Sequence, residues 1–255
     1  MVELKTAGEI DAMREAGRVV AQALDAVHSY AAVGVTLLEL DAVARSVIES
    51  AGATSPFFGY QPHFAMSPFP AVICASVNSA ALHGIPDSYR LADGDLVSID
   101  CGATLDGWTG DSAISFTVGT AREADTRLIA ATSAALNAGI AAAVPGGKLG
   151  DISAAIGAVG RSAGVGICLD FGGHGIGRTM HEDPHVANEG RAGRGLRLRA
   201  GLVLAIEPWF LGGGKDDYVS DDDGWTVRSA DGSRAAHIEH TVAITDAGPR
   251  VLTEL

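Results

Sequence analysis

The sequence predicts an α+β fold built from two pseudo-symmetric halves that share one sheet. Three observations predict it. The chain echoes itself at an offset of 112 residues. The order helix, helix, strands occurs twice. A hairpin signal, Asp106-Gly107, lies inside the strand-like region of the first half.

The echo is between residues 34–53, GVTLLELDAVARSVIESAGA, and residues 146–165, GGKLGDISAAIGAVGRSAGV. Seven of these twenty positions are identical, among them Gly34/Gly146, Leu37/Leu149 and Val47/Val159. Chance in such Ala/Gly-rich sequence gives about one to three. Just before each segment stands a T-x-x-E pattern, Thr6 to Glu9 and Thr120 to Glu123. That is the capping-box signature of a helix start. It predicts long helices over 7–31 and 121–143, each followed by a turn and a second helix, 37–51 and 149–163. In the first of these second helices, Leu37, Leu40, Ala44, Val47 and Ala51 recur at spacings of three and four, an apolar stripe facing a core. Strand-like runs follow: 71–77, 95–104 and 108–118 in the first half, and 168–173, 202–207 and 236–245 in the second. The halves are expected at about 6–118 and 120–250 of a single domain, 1–255, with a cleft between them as the natural place for a site.

Composition narrows the function. Apolar residues are 47% and charged residues 19%, enough for a sizeable core and against disorder. The net charge of −13 argues against nucleic acid and against an anionic membrane surface as partners. Three scattered cysteines without a CxxC fit a reducing cytoplasm. No apolar leader and no membrane-length apolar run is read.

The segment SIDCGATLDGWTGDS, 98–112, places Asp100 and Asp111 in strand-like sequence, where aspartate is depleted. A two-residue turn at Asp106-Gly107 pairs 102 with 111 and 100 with 113, and leaves the two aspartates as diagonal neighbours about 7–8 Å apart on one face. A register shifted to pair 100 with 111 brings them to about 5 Å on the same face. Either way two like charges converge, which calls for something positive between them. Glu207 ends the apolar run LVLAIE, where a carboxylate is costly to bury without a partner. Glu239 lies in AHIEHTVAIT, where His237, Glu239 and Thr241 share a face opposite Ile238, Val242 and Ile244. His174 lies in the glycine-rich FGGHGIGR. Four carboxylates and one imidazole at strand ends suit Mn, Fe(II), Co or Zn, and two such ions would make a hydrolytic centre. HEDPH, 181–185, matches the zincin pattern as text, but Pro184 and the glycine-rich lead-in argue against the helix that motif needs.

The segments SVNSAALHGIPD (76–87), LADGDLVSIDCGATLDGWTGDSAISFTVG (91–119), GHGIGRTMHEDPHV (173–186), LAIEPW (204–209) and DDGWTVRSADGSRAAHIEHTVAIT (222–245) together resemble the type I methionine aminopeptidases. The resemblance implies their pita-bread fold, a curved antiparallel sheet covered by helices. It implies removal of the initiator methionine, before a small second residue, by attack of a metal-bridging hydroxide. By the same resemblance, Asp111 and Glu239 bridge two divalent ions, Asp100 chelates one, and His174 and Glu207 bind the other. Glu207 also accepts the proton of the attacking water. His181 touches the scissile carbonyl and its oxyanion, and His83 stands near the scissile amide. The methionine pocket would include Phe69, Cys74, Met180 and Trp225 with His83 and His181. Met180 stands where family members usually carry an aromatic residue, and 61–68 looks like a longer loop than the shortest members have. The implied partners are N-termini of nascent polypeptides near the ribosome, met by a cytoplasmic monomer. The competing readings are an Xaa-Pro aminopeptidase or dipeptidase, which usually has an extra N-terminal domain that this length leaves no room for, and a binding module that has lost catalysis, which typically lacks some of the five ligands present here.

Overall fold

The computed structural model describes residues 2–62 and 65–255. Of the loop expected at 61–68, His63 and Phe64 lie outside the described residues. The chain opens with helices α1 (Ala7–Tyr30) and α2 (Leu37–Ser50). Strands β1 (Ile73–Val77), β2 (Ala80–Leu82), β3 (Leu96–Leu105) and β4 (Trp108–Thr117) follow. Helices α3 (Glu123–Ala142) and α4 (Leu149–Ala163) come next. The rest is β5 (Gly166–Ile167), β6 (Gly172–Gly175), β7 (Glu182–Ala187), β8 (Val203–Ile206), β9 (Trp209–Leu211), β10 (Tyr218–Ser220), β11 (Val227–Ser229), β12 (Ala235–His237), β13 (Glu239–Thr245) and β14 (Gly248–Val251).

Thr6 and Thr36 each cap a helix through a full capping box, with Glu9 and Glu39 reaching back to the cap backbone. The box expected at Thr120 does not form. Helix α3 opens at Glu123 behind Arg122, with no side-chain cap, because the Thr120 N–H goes to Asp93 Oδ1 at 2.6 Å. Helix α2 buries Leu37, Leu40, Ala44 and Ile48, whereas Val47 is only half-buried and Ala51 is exposed beyond the helix end. Its apolar face is therefore turned by one residue from the expected stripe. Asp41 is buried on that face and accepts the N–H groups of Val72 and Ile73, which leads the chain into β1.

The main sheet has eight strands in the order β1-β3-β4-β13-β8-β6-β7, with β14 paired to β13. All its pairings are antiparallel. The hairpin turns at Asp106 (φ 51°) and Gly107 (φ 77°), a pair of left-handed residues that matches the strand twist. Its register is the first of the two considered: Asp100 faces Ala113 and Gly102 faces Asp111. Two expected strands are broken. Of the run 168–173 only Gly172 and Gly173 are strand, at the start of β6, with the short β5 ending just before the run, and the run 236–245 breaks at Ile238, so that β12 joins a small sheet with β9 and β5 while β13 joins the main one.

The main sheet is two-faced. On the β3 face that carries Val97, Ile99 and Cys101, the core includes Val20, Leu24, Leu40 and Ile48 of α1 and α2. Under α3 and α4 lies a second core, where Leu136, Ile152 and Ile156 pack with Leu204, Ile206, Val242 and Ile244. Each such buried aliphatic contributes about 1.5–3 kcal/mol, which fixes which face of each strand turns inward. The alternate residues, Ser98 and Asp100 on β3, Asp111 and Ala113 on β4, point the other way. No helix among the described residues is long and apolar enough to cross a membrane.

Candidate metal centre and substrate cavity

The polar face of the sheet holds a row. Cys74 faces Asp100, Asp100 faces Ala113, and Ala113 faces Glu239. The next pairing, His240 with Ile206, carried on by one residue, sets Glu207 opposite Glu239. His174 on β6 faces Ala205, the residue of β8 on the same face as Glu207. Asp111 lies two residues from Ala113 on β4. Registers alone thus gather Asp100, Asp111, His174, Glu207 and Glu239 on one face of five adjacent strands. Ala113 and Ala205 in the middle leave a hollow that the longer side chains fill.

The distances agree. His174 Nε2 lies 3.6 Å from Glu207 Oε1 and 3.9 Å from Asp111 Oδ2. Ligand atoms of Asp111, His174 and Glu239 lie within 4.8 Å of one another, and so do those of Glu207, His237 and Glu239. Glu239 belongs to both groups. Local structure holds these residues. Thr241 Oγ1 accepts the Asp111 N–H at 3.0 Å and donates to the Asp111 carbonyl at 2.7 Å, taking the place of ladder bonds there. Ser112 Oγ donates to the Glu239 carbonyl at 2.5 Å. Gly173 and Gly175 flank His174 because a Cβ at either would lie 2.1 Å from a carbonyl oxygen, of Ala205 and of Asp183 respectively. A contact of 2.9 Å joins His174 Nδ1 to the Gly175 carbonyl, so Nδ1 carries the proton and Nε2 presents a lone pair.

The electrostatics are those of a cluster of buried acids. Asp111, Glu207 and Glu239 are buried. Burial pushes the Asp100 carboxyl up to about 7. Burial and the Asp100 charge push Asp111 well above the ordinary range, and burial with the neighbouring carboxylates does the same to Glu207 and Glu239. Burial holds His174 down at about 3. Among the described residues, the ion pairs of these carboxylates are to histidine, not to Lys or Arg. Asp100 Oδ1, Asp111 Oδ1 and Glu239 Oε1 are buried without a hydrogen-bond partner. Unpaired oxygens of this kind, beside an imidazole lone pair, fit divalent cations.

The same residues floor a cavity of about 240 Å³. Its walls bring together every pocket residue expected from sequence: Phe69, Cys74, His83, Met180, His181 and Trp225. Phe57, Phe69, Cys74, Met180 and Trp225 form one apolar cluster. Trp225 stacks edge-on against Phe69, with ring centroids 5.1 Å apart, and donates from Nε1 to the Ser67 carbonyl. His83 sits at φ 55°, an uncommon conformation for a non-glycine residue, with its ring edge-on to Phe171, Trp209 and Trp225. Burial holds it down at about 4, so it is neutral near pH 7. His181 lies between Tyr60 and His174, with centroids at 5.3 and 4.3 Å. The HEDPH segment is strand β7 for most of its length, not a helix, as expected.

Several participants escaped the sequence reading, among them Phe57 of the apolar cluster. Tyr60, Phe171 and Trp209 line the cavity. Lys5, with only 2% of its side chain exposed, donates from Nζ to Glu182 Oε2 at 2.6 Å, while Glu182 Oε1 accepts from the backbone of Arg178 and Thr179. That ties the N-terminal segment to the turn carrying Met180 and His181. No local pattern announces so distant a contact, whereas the alternation in AHIEHT already put His237 beside Glu239.

Residues 11–246 match the family model of metallopeptidase family M24. The chain belongs to metallopeptidase family M24. It is 54% identical to methionine aminopeptidase 1 of Mycobacterium tuberculosis, over 99% of this chain and 95% of that one. The methionine aminopeptidase from Thermotoga maritima superposes with a TM-score of 0.95 at 37% identity, each chain fully covered. Prolidase from Pyrococcus furiosus, at 23% identity and a TM-score of 0.76 over 65% of its length, shares the fold. The pita-bread architecture expected from the resemblance is thus shown. Within family M24 the chain groups with the methionine aminopeptidases, and it is a metallo-aminopeptidase, a hydrolase.

Proposed function

We propose that this M24 enzyme removes the N-terminal methionine of nascent proteins and peptides whose second residue is small. The observation that carries the reading is a row of carboxylates and one imidazole flooring a cavity with apolar walls. Asp100, Asp111, His174, Glu207 and Glu239 would hold divalent ions here. When bound, the ions supply the Lewis acidity that lowers the pKa of a water and polarises the scissile carbonyl.

The chain's own residues do the rest. Glu207 takes the proton of the attacking water, a role suited to a carboxyl whose burial raises its proton affinity. His181 faces the position of the carbonyl oxygen and stabilises the charge that develops there. Neutral His83 orients the scissile amide and the leaving amine. Phe57, Phe69, Cys74, Met180 and Trp225 receive the methionine side chain, and thioether contacts with aromatic edges favour it there. Asp100, Asp111, Cys74 and His83 come from the half about 6–118, and His174, His181, Glu207 and Glu239 from the half about 120–250, so the cleft joins the two. Ribosome-proximal N-termini are the natural substrates, met in the cytoplasm by a monomer.

The test strips the protein with chelator and reloads it separately with Mn, Fe(II), Co and Zn. Methionine release from Met-Ala-Ser is then measured beside cleavage of Ala-Pro-Ala. Metal-dependent release from the first peptide alone is the expected result and ranks the metals. Cleavage of the proline peptide instead, or no cleavage with any metal, overturns the reading.

A further inference from the structure

His237 stands where the chain passes from a small sheet to the main sheet beside the candidate cation site, and the five-ligand set gives it no role. It ends β12 in the small sheet, and after Ile238 the chain enters the main sheet at Glu239. Its backbone is pinned from both sides: its N–H donates to Ser115 Oγ at 3.0 Å and to Ser98 Oγ at 3.3 Å, and its carbonyl accepts from Ser115 Oγ at 2.7 Å. Its ring stands edge-on to Trp209, with centroids 5.2 Å apart and planes at 89°. The backbone is therefore fixed, and the ring keeps Nε2 in one general direction with room for only a small turn.

That atom is buried and without a hydrogen-bond partner. It points between two carboxylates, 3.5 Å from Glu207 Oε2 and 3.6 Å from Glu239 Oε2. His174 approaches Glu207 through the other oxygen, Oε1. Glu207 is thus held between two imidazoles, one at each oxygen. A histidine kept only to fill a core has its nitrogens satisfied by its surroundings. Here the unsatisfied nitrogen is aimed at two carboxylates of the site, a few tenths of an ångström beyond hydrogen-bond range, which a small turn of the ring closes.

We propose that His237 is a positioning residue whose Nε2–H donates to Glu207 and Glu239 and fixes their orientation for cation binding. The inference rests on the two-ion reading above. Partners that hold metal-ligating groups in place characteristically change metal affinity 10–100-fold when removed.

Cobalt(II) titration of the chelator-stripped full chain separates the possibilities, with calorimetry giving affinity and visible absorption giving the ligand field. His237→Leu removes the donor. His237→Gln restores an N–H of similar reach, and His237→Asn offers one that falls short. Circular dichroism of the metal-free proteins controls for folding, and the Gln/Asn pair carries the test if the Leu protein fails to fold. The expected result is a 10–100-fold weaker cobalt affinity for Leu and Asn, with Gln close to the parent in affinity and in spectrum. Equal affinity in all four proteins overturns the proposal. So does a Gln protein as weak as Leu with an altered spectrum, which would make the imidazole itself a ligand. A parent chain that binds no cobalt would sink the two-ion reading instead, before His237 is at issue.

Discussion

Glu239 shows how little a residue of this site can be exchanged. It is 1% exposed, its Oε1 has no hydrogen-bond partner, and it belongs to both groups of converging donors. A structural carboxylate so buried would have a Lys, an Arg or several N–H donors beside it. Glu239→Ala is therefore expected to lower kcat/KM more than about 100-fold, beyond what loss of an orienting partner alone causes. Peptide kinetics at saturating metal, with circular dichroism to confirm folding, check this, and full retention of activity would sink the metal mechanism. Lys5 makes the complementary point, because it touches nothing that reacts. Lys5→Met leaves Glu182 two backbone donors but removes its cation. A loss of about 1–3 kcal/mol follows from the broken charged hydrogen bond. A several-fold loss of kcat/KM should accompany it as the Met180–His181 turn loosens. Denaturant melts and kinetics of the same variant measure both, and an unchanged kcat/KM would detach Lys5 from the site.

At the scale of elements, sequence legibility follows element length. Helices α1 and α2 and the β3–β4 hairpin were readable because many residues repeat one pattern, and because Thr6 and Asp106-Gly107 mark an end and a turn chemically. The two- and three-residue strands of the two small sheets carry too few residues to show a period, and Ile238 breaks a run that reads as continuous. Thr120 matched the capping text but lost its N–H to Asp93, a partner 27 residues away. The working caps predict a pH effect. The Thr6 backbone N–H holds Glu9 below its ordinary value, and the Thr36 hydroxyl does the same to Glu39. Groups depressed in the folded state add stability above the unfolded carboxylate value, near 4.5, and lose it as pH falls through the lower folded value. A Glu9→Gln, Glu39→Gln double variant should thus lose melting temperature at pH 7 and match the parent at the acid end. A constant gap across the pH series would refute the linkage. The contact of α1 with β4 is equally specific. A Cβ on Gly110 would lie 2.9 Å from the Gly17 backbone, and one on Gly17 would lie 2.2 Å from the Leu252 carbonyl. Gly110→Ala should cost about 1–3 kcal/mol in chemical denaturation, because backbone stands where the methyl would go. No loss would mean that the helix can slide.

At the scale of the molecule, the site is a property of the sheet rather than of any loop. Cys74, Asp100, Ala113, Glu239 and Glu207 stand side by side only because β1, β3, β4, β13 and β8 are neighbours in that order. The sequence displayed the carboxylates one by one, but the adjacency of β4 to β13, more than 120 residues apart, has no local signature. The resemblance supplied it. The arrangement also links the site to stability. Four carboxylates and one imidazole converge on a volume that no Lys or Arg neutralises among the described residues. The folded chain therefore holds a local repulsion that divalent ions bound there would relieve, and the unfolded chain, with these groups dispersed, would bind the same ions far more weakly. Divalent ions at a hundredfold excess over their Kd should raise stability by about 2.7 kcal/mol. At about 2–4 °C per kcal/mol for a chain of this size, chelation should lower the melting temperature by about 5–10 °C, and added Co or Mn should restore it. In Glu239→Ala, where one member of both donor groups is gone, the same chelator should shift melting far less. If chelation moves parent and variant equally, the stabilising ions sit elsewhere and the row of carboxylates is not what binds them.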